Sequence, residues 1–426
     1  MYDFANSSYT TVIITVYYAQ LFPTVIVGDN TRGNLLWSVS LSISYALTVL
    51  TLPLLGAMMD RIGNKKAFLL GSTILTVVTT AALGLAGPGM VGLAMVLIVL
   101  SNYGFSVGES FVASFLPGLG PPGSLGRISG IAWGFGYVGG LLSTAGVLLL
   151  LGGPEPGNPA ATWAGPLTAA WFALASIPTF WLLRDRSVPI ALPEGVSLVS
   201  VGFGQLAKTL GEIRRFRDLA VFLVSYFWAM AGLSIVVSFA FIYGAQVIGW
   251  APLTQQLMFL FTQISATVGA LGFGWLQGRL GDKPTYALTL LIWVSAVALI
   301  WGTPTVASLI NGLAGSEIGI EQVFLGVGCI AGLCIGATQS AGRTLVALLS
   351  PPDKVGEFFS LWGVFGKLAA IAGLMSLGLL QAAFGLENAI LLTGVFFGLG
   401  LVVVLGVDME RGRAEATVVP GAPEAP

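Results

Sequence analysis

Apolar runs of about 20 residues or more, the length a helix needs to cross a bilayer, follow one another along almost the whole chain. Short polar stretches separate them. Twelve membrane-spanning helices are predicted, over 4–27, 34–58, 67–87, 91–116, 127–151, 163–183, 219–248, 255–278, 285–303, 321–349, 356–383 and 387–407. Turn signals such as Gly87-Pro88-Gly89 and Gly120-Pro121-Pro122-Gly123 mark the connections. The longest connection, 184–218, divides the segments into six and six. The predicted organisation is a six-helix bundle over 1–183, a linker over 184–218, a second bundle over 219–407 and a disordered polar tail over 408–426. In the linker, Val199, Phe203, Leu206, Leu210 and Ile213 recur at helical spacing beside Lys208, Arg214 and Arg215. That pattern predicts a basic amphipathic helix on the membrane surface, with a plain solvated linker as the alternative.

Composition agrees with this pattern. Of 426 residues, 55% are hydrophobic and 9% charged, against about a quarter charged in soluble domains. The fold class is therefore an all-α polytopic membrane protein. The first residues carry no basic segment and the first run can span by itself, so no cleavable signal peptide is expected. Fifteen of the eighteen Lys and Arg fall on one side of the predicted topology, which places both termini in the cytoplasm. Cys329 and Cys334 point in different directions on one helix, so neither a disulfide nor a metal site is expected. The chain has no histidine, so any coupled proton must travel on carboxylates.

One segment is written twice. Gly108-Glu109-Ser110 through Val112-Ala113 to Pro117 recurs, 234 residues on, as Gly342-Arg343-Thr344 through Val346-Ala347 to Pro351. The copies differ where one carries an acid and the other a base. A second mirrored pair follows: Arg127 begins the fifth segment and Glu357 the eleventh. Charges inside a membrane cost roughly 2.5–3.5 kcal/mol each at mid-depth and mark cavities, pathways or pairs. Two readings stay open. Glu109 with Arg127, and Arg343 with Glu357, brace helix ends within each half, or Glu109 with Arg343, and Arg127 with Glu357, form a gate across the halves.

Lys367 stands apart from these. It lies about 16 Å along the eleventh segment, near mid-membrane, and its counterpart in the first half is Tyr137. It is a candidate to receive a substrate carboxylate or another anionic group; pairing with Glu109 or with helix carbonyls is the alternative. Asp3, Asn6, Gln263 and Gln339 are further polar candidates on a substrate path, although Asp3 is close enough to the start to face water instead. The run Gly134-Phe135-Gly136-Tyr137-Val138-Gly139 matches G-x-G-x-x-G, but no strand precedes it. It reads as helix packing rather than nucleotide binding. No Walker-type Gly-Lys-Ser/Thr loop is present. No enzyme activity, cofactor, metal or nucleic-acid partner is expected.

A basic loop also repeats. Gly56, Arg61, Gly63 and Lys65 follow the second segment, and Gly274, Arg279, Gly281 and Lys283 follow the eighth at the same spacing. Asp60 in the first copy can pair with basic groups of a neighbouring helix. With twelve spans in two sixes, this loop resembles the signature of the major facilitator superfamily. Within it the chain is similar to the vacuole-effluxer-like branch through Tyr2-Asp3-Phe4-Ala5-Asn6-Ser7, Phe115-Leu116-Pro117 with Gly126-Arg127-Ile128-Ser129-Gly130 and Gly136-Tyr137-Val138-Gly139-Gly140, Ile242-Tyr243-Gly244-Ala245, and Gln339-Ser340-Ala341-Gly342-Arg343 with Glu357-Phe358-Phe359 and Gly366-Lys367. Two habitual polar positions of the branch are apolar in this chain, at Val112-Ala113 and Met230-Ala231-Gly232. The resemblance implies a monomeric secondary transporter of a cell membrane, bacterial inner membrane first. It would move a small organic solute, amino acids first and outward, by alternating access, with a proton or another ion as possible partner. A membrane sensor or scaffold that keeps the fold is the alternative.

Overall fold

The computed structural model describes residues 1–155, 157–187, 189, 204, 215–314 and 317–417. Its long helices are α1 (Tyr2–Val27), α2 (Asn30–Ile62), α3 (Lys65–Ala82), α4 (Val91–Ala113), α5 (Leu125–Leu151), α6 (Ala164–Leu182), α7 (Arg217–Tyr243), α8 (Pro252–Leu280), α9 (Asp282–Trp301), α10 (Ile320–Leu349), α11 (Val355–Gln381) and α12 (Glu387–Leu405). Eleven helices among the described residues are long and apolar enough to cross a membrane. The predicted twelfth, over 163–183, forms α6 but falls outside that set. Pro166, Pro178, Trp171 and Trp181 dilute its hydropathy.

Helices dominate because a backbone in lipid must satisfy its own polar groups. Hydroxyl side chains on buried faces obey the same constraint. Ser40, Thr48 and Thr76 each donate to the carbonyl four residues back. α1 departs from α geometry. π turns occupy Tyr9–Val16 and Phe22–Val27, and Thr15 donates to the Thr10 carbonyl at 2.8 Å across one of them.

The chain divides into two compact units that do not coincide with its sequence halves. Unit 1 comprises Met1–Gly118, Phe135–Leu206 and Gly356–Val364; unit 2 comprises Leu119–Gly134, Ala207–Val355 and Phe365–Pro426. The first turns of α5 and α11 are thus exchanged between the halves.

In unit 1 the aromatic residues of α1 form the core. Tyr9 stacks on Phe105 with centroids 5.1 Å apart while its hydroxyl meets Ser101 at 2.8 Å. Tyr2 lies edge-on to Phe172 and bonds Thr73 at 2.8 Å. The G-x-G-x-x-G run is a packing groove for α1. A Cβ on Gly139 would lie 2.2 Å from the Phe4 carbonyl oxygen, and one on Gly136 2.9 Å from Ser7 Oγ. Only glycine permits that approach. In unit 2, Trp293 stacks on Phe397 at 4.8 Å and donates to Thr338 Oγ1 at 3.0 Å.

The repeated basic loops fold alike. Gly63 and Gly281 both take positive φ, 65° and 90°, which lets the chain reverse between helices. In each unit a loop lysine then holds the end of the unit's last long helix. Lys66 Nζ donates to the Leu183 carbonyl at 3.2 Å, and Lys283 Nζ to those of Leu405 and Val407 at 2.8 and 2.6 Å. A cation at helix C-terminal carbonyls also suits the helix dipole. Asp185, just beyond α6, accepts the Lys66 backbone N–H and the Ser187 N–H at 2.9 Å each.

One expectation is corrected. The tail predicted to be disordered from 408 forms a helix over Met409–Thr417. Arg411 grips the buried Asp218 with two bonds of 2.7 and 2.8 Å, and Arg413 reaches Asp282 at 2.7 Å. The buried Asp218 and the half-buried Asp282 each take a cation from this segment and order it, although its composition alone reads as solvated. Most of the predicted amphipathic helix in the linker lies outside the described residues.

Candidate functional site

Unit 1 holds the start of α11 through α2. Gly56 and Gly356 bring the two backbones together: a Cβ on Gly56 would lie 2.6 Å from the Gly356 carbonyl oxygen and 2.1 Å from Ser360 Oγ. This approach delivers Asp60 to the first turn of α11. Its carboxylate accepts the N–H of Gly356 and the N–H of Glu357, both at 2.8 Å. Those N–H groups have no partner inside their own helix, and a carboxylate also complements the positive helix end. Lys65 Nζ stands 3.8 Å from the same carboxylate. Asp60 is buried, and the expected pairing with a basic group is joined by these two backbone amides.

Unit 2 holds the start of α5 by the same construction. Here α8 takes the place of α2, and Gly126, Gly130 and Gly274 make the close contact: a Cβ on Gly130 would lie 2.3 Å from the Ala270 carbonyl oxygen and 3.0 Å from Gly274 Cα. Arg343 of α10 completes the attachment. Its guanidinium donates to Ser129 Oγ and to the Ser129 carbonyl, both at 3.1 Å, and lies 5.3 Å from the Trp133 ring. Ser129 Oγ in turn donates to the Ser340 carbonyl at 2.9 Å. Arg343 is only 5% exposed and Ser129 fully buried.

The mirrored charges are therefore distributed by unit. Glu109 and Glu357 belong to unit 1 with Asp60, whereas Arg127 and Arg343 belong to unit 2. Glu357 is fully buried, Glu109 half-buried and Arg127 exposed. Arg61 is half-buried, and the exposed Arg279 lies over the Trp275 ring at 3.7 Å.

The predicted substrate residues occupy the membrane helices of both units. Lys367 is half-buried on α11, immediately after Gly366, which faces the Tyr226 hydroxyl of α7. Tyr137 is half-buried on α5 and follows Gly136, which faces Asp3 and Ser7 of α1. Asn6 is buried, and its Oδ1 has no hydrogen-bond partner among the described residues. Gln263 and Gln339 are half-buried on α8 and α10. Within unit 1 the structure thus brings Gly136, the residue before Tyr137, against Asp3, and Asp60 onto the Glu357 N–H. A cleft of about 540 Å³ lined by Arg217, Lys283, Asp408 and Arg411 lies at the junction of α12 with the tail helix and contains none of these residues.

Ser129 was read from the sequence only as part of a motif, and Trp133 and Tyr226 were not singled out. Ser129 and Trp133 sit two and six residues after Arg127, on the first turns of a helix whose start was already singled out. Only the exchange of those turns between the halves makes them partners of Arg343.

An all-helical, multi-pass membrane protein with these features has the fold of the major facilitator superfamily. The Escherichia coli fucose:proton symporter superposes with a TM-score of 0.69 at 16% identity, covering 96% of each chain. A bacterial homologue of the iron transporter ferroportin superposes at 0.68 and 16%, covering 95% of this chain and 96% of that one. Residues 35–417 match the family described as "Vacuole effluxer Atg22 like", and the chain belongs to that family. It is a transporter of the major facilitator type. The uncharacterized MFS-type transporter YxiO of Bacillus subtilis is 25% identical over 96% of this chain and 94% of its own. Autophagy-related protein 22-1 of Aspergillus niger is 24% identical over 68% of this chain, which spans about half of that relative (48%).

Proposed function

We propose that this transporter moves a small organic solute across a cell membrane by alternating access, with both termini in the cytoplasm. The two bundles over 1–183 and 219–407 would expose the solute site alternately to each side of the membrane. The observation that carries the reading is the reciprocal attachment of the α5 and α11 starts, through Arg343 to Ser129 and through Asp60 to Gly356 and Glu357. These attachments place hydrogen bonds over close glycine contacts, an arrangement in which both can form and break together. Glu109, Arg127, Arg343 and Glu357 are the residues we assign to a charge network biasing one end of the cycle.

Lys367 is the residue we assign to an anionic group of the solute, with Tyr137, Asp3, Asn6, Gln263 and Gln339 as the other polar groups on its path. Amino acids are the first class to test, in the export direction, because they carry the carboxylate that Lys367 would receive and because of the family's descriptive name. The driving force is an ion gradient or that of the solute. Reconstitution into proteoliposomes and uptake of a solute panel, with and without a pH gradient, tests the reading. Saturable uptake of an amino acid supports it, and acceleration by the gradient assigns proton coupling. A folded protein that moves no member of a broad panel would favour a sensor or scaffold instead.

A further inference from the structure

The two exchanged helix starts match position by position, yet their latches are unequal. In α11, Gly356 and Glu357 are the second and third residues and both give their N–H to Asp60. In α5, Gly126 and Arg127 are likewise the second and third residues. The Leu125 N–H is satisfied by the Pro122 carbonyl, which leaves Gly126 and Arg127 in the part of the first turn that lacks intrahelical acceptors. The loop repeat that carries Asp60 in its first copy has Gly278 at that place in its second copy, so no acid is available. The preceding residue, Gln277, turns its side chain to the helix start instead.

Gln277 is 3% exposed, and a Cβ on Gly126 would lie 2.5 Å from its Oε1. Neither Oε1 nor Nε2 has a hydrogen-bond partner among the described residues. A buried amide normally uses most of its four bonding positions. This one lies against Gly126, and neither of its polar atoms is bonded there.

We infer that Gln277 is a positioning residue that leaves the α5 latch open: it fills the space a capping carboxylate would occupy, without its bonds. The α11 start is tied by two charge-assisted hydrogen bonds, which are about twice as strong as neutral ones. The α5 first turn relies on glycine packing, with Arg343 holding the chain one turn later at Ser129. The start of α5 therefore releases before that of α11. This asymmetry concerns the latches and stands whatever solute is moved.

Amide hydrogen exchange on the full chain in lipid nanodiscs tests it without a substrate. In the wild type, the peptide covering Gly126–Arg127 exchanges about tenfold faster than the one covering Gly356–Glu357. Gln277→Glu supplies the missing carboxylate and slows exchange at the α5 start about tenfold, leaving the α11 start unchanged. Gln277→Leu, which keeps the volume and removes the amide, leaves exchange at the α5 start at its wild-type rate. If Gln277→Leu accelerates that exchange, the amide is already bonding and the inference fails. It also fails if a folded Gln277→Glu protein exchanges at α5 as the wild type does. Should Gln277→Glu not fold, the leucine variant decides alone.

Discussion

Asp60 caps a helix that begins almost 300 residues after it: its two carboxylate oxygens take the N–H groups of Gly356 and Glu357. An acid in a repeated basic loop reads first as one half of an ion pair. In the folded chain it also satisfies the orphan amides of another helix, with Lys65 Nζ 3.8 Å away. Replacing it therefore tests a cap as well as a salt bridge.

Asp60→Ala removes two hydrogen bonds to a charged acceptor, each worth about 1.5–3 kcal/mol, and is expected to cost about 3 kcal/mol in all. Asp60→Asn keeps one good acceptor and is expected to lose about half as much. Thermal unfolding in detergent, scored beside exchange at Gly356 and Glu357, checks both. A loss equal for the two variants would mean that charge toward Lys65, not capping, is what matters.

The tail helix gives a second expectation. Arg411→Ala leaves Asp218 buried without its bidentate partner, and the unfolding temperature should fall by several degrees. The loss should be shared by a chain that ends before Met409. Gly412 is held 2.6 Å from Leu349 Cδ2, measured from a Cβ it does not have, so Gly412→Val should displace the helix and expose Asp218 in the same way. Limited proteolysis near 408–417 distinguishes this displacement from global unfolding.

How much of this was legible beforehand depended on whether a residue's partner lies near it in sequence. The apolar runs predict the helices well because each run must satisfy its own backbone in lipid. Only the proline- and tryptophan-diluted α6 falls outside the set that length and apolarity identify. The buried acid Asp60 and the membrane-embedded Arg343 stand out as costly charges in a chain with few of them. Their partners do not, since Ser129 and Gly356 are ordinary residues brought to them by the exchange of helix starts. The tail helix was invisible for a similar reason. Its order comes from Asp218 and Asp282, more than a hundred residues upstream, not from its own composition.

Acid should loosen the end of unit 1 at α6. Burial pushes the Asp185 carboxyl up, but hydrogen bonds from Ser187 and from the Lys66 N–H outweigh this and hold it below the ordinary carboxylate value. A carboxyl depressed in the folded state contributes stability that is complete above its unfolded value, about pH 4, and is lost as pH falls through its lower folded value. Asp185→Asn should therefore be less stable than the wild type at about pH 6, and the difference should shrink as the pH is taken below the unfolded carboxylate value of about 4. Unfolding temperatures at both pH values measure it; a difference unchanged at low pH would assign the effect to packing.

Lys367 is the sharpest test of the proposed solute site. A lysine in the membrane is costly, and a chain with only 9% charged residues retains this one half-buried on α11 beside the glycine that faces Tyr226. A charge-assisted hydrogen bond to a solute carboxylate is worth about 1.5–3 kcal/mol, so Lys367→Ala should weaken apparent affinity by about 10- to 150-fold. Lys367→Arg keeps the charge but changes its shape, and should retain part of that affinity. Solutes whose carboxylate is amidated should bind wild type and Lys367→Ala alike. If the alanine variant transports a carboxylate solute with unchanged affinity, the lysine serves helix packing or an internal pair, and the anionic group must be sought elsewhere along α7 or α10.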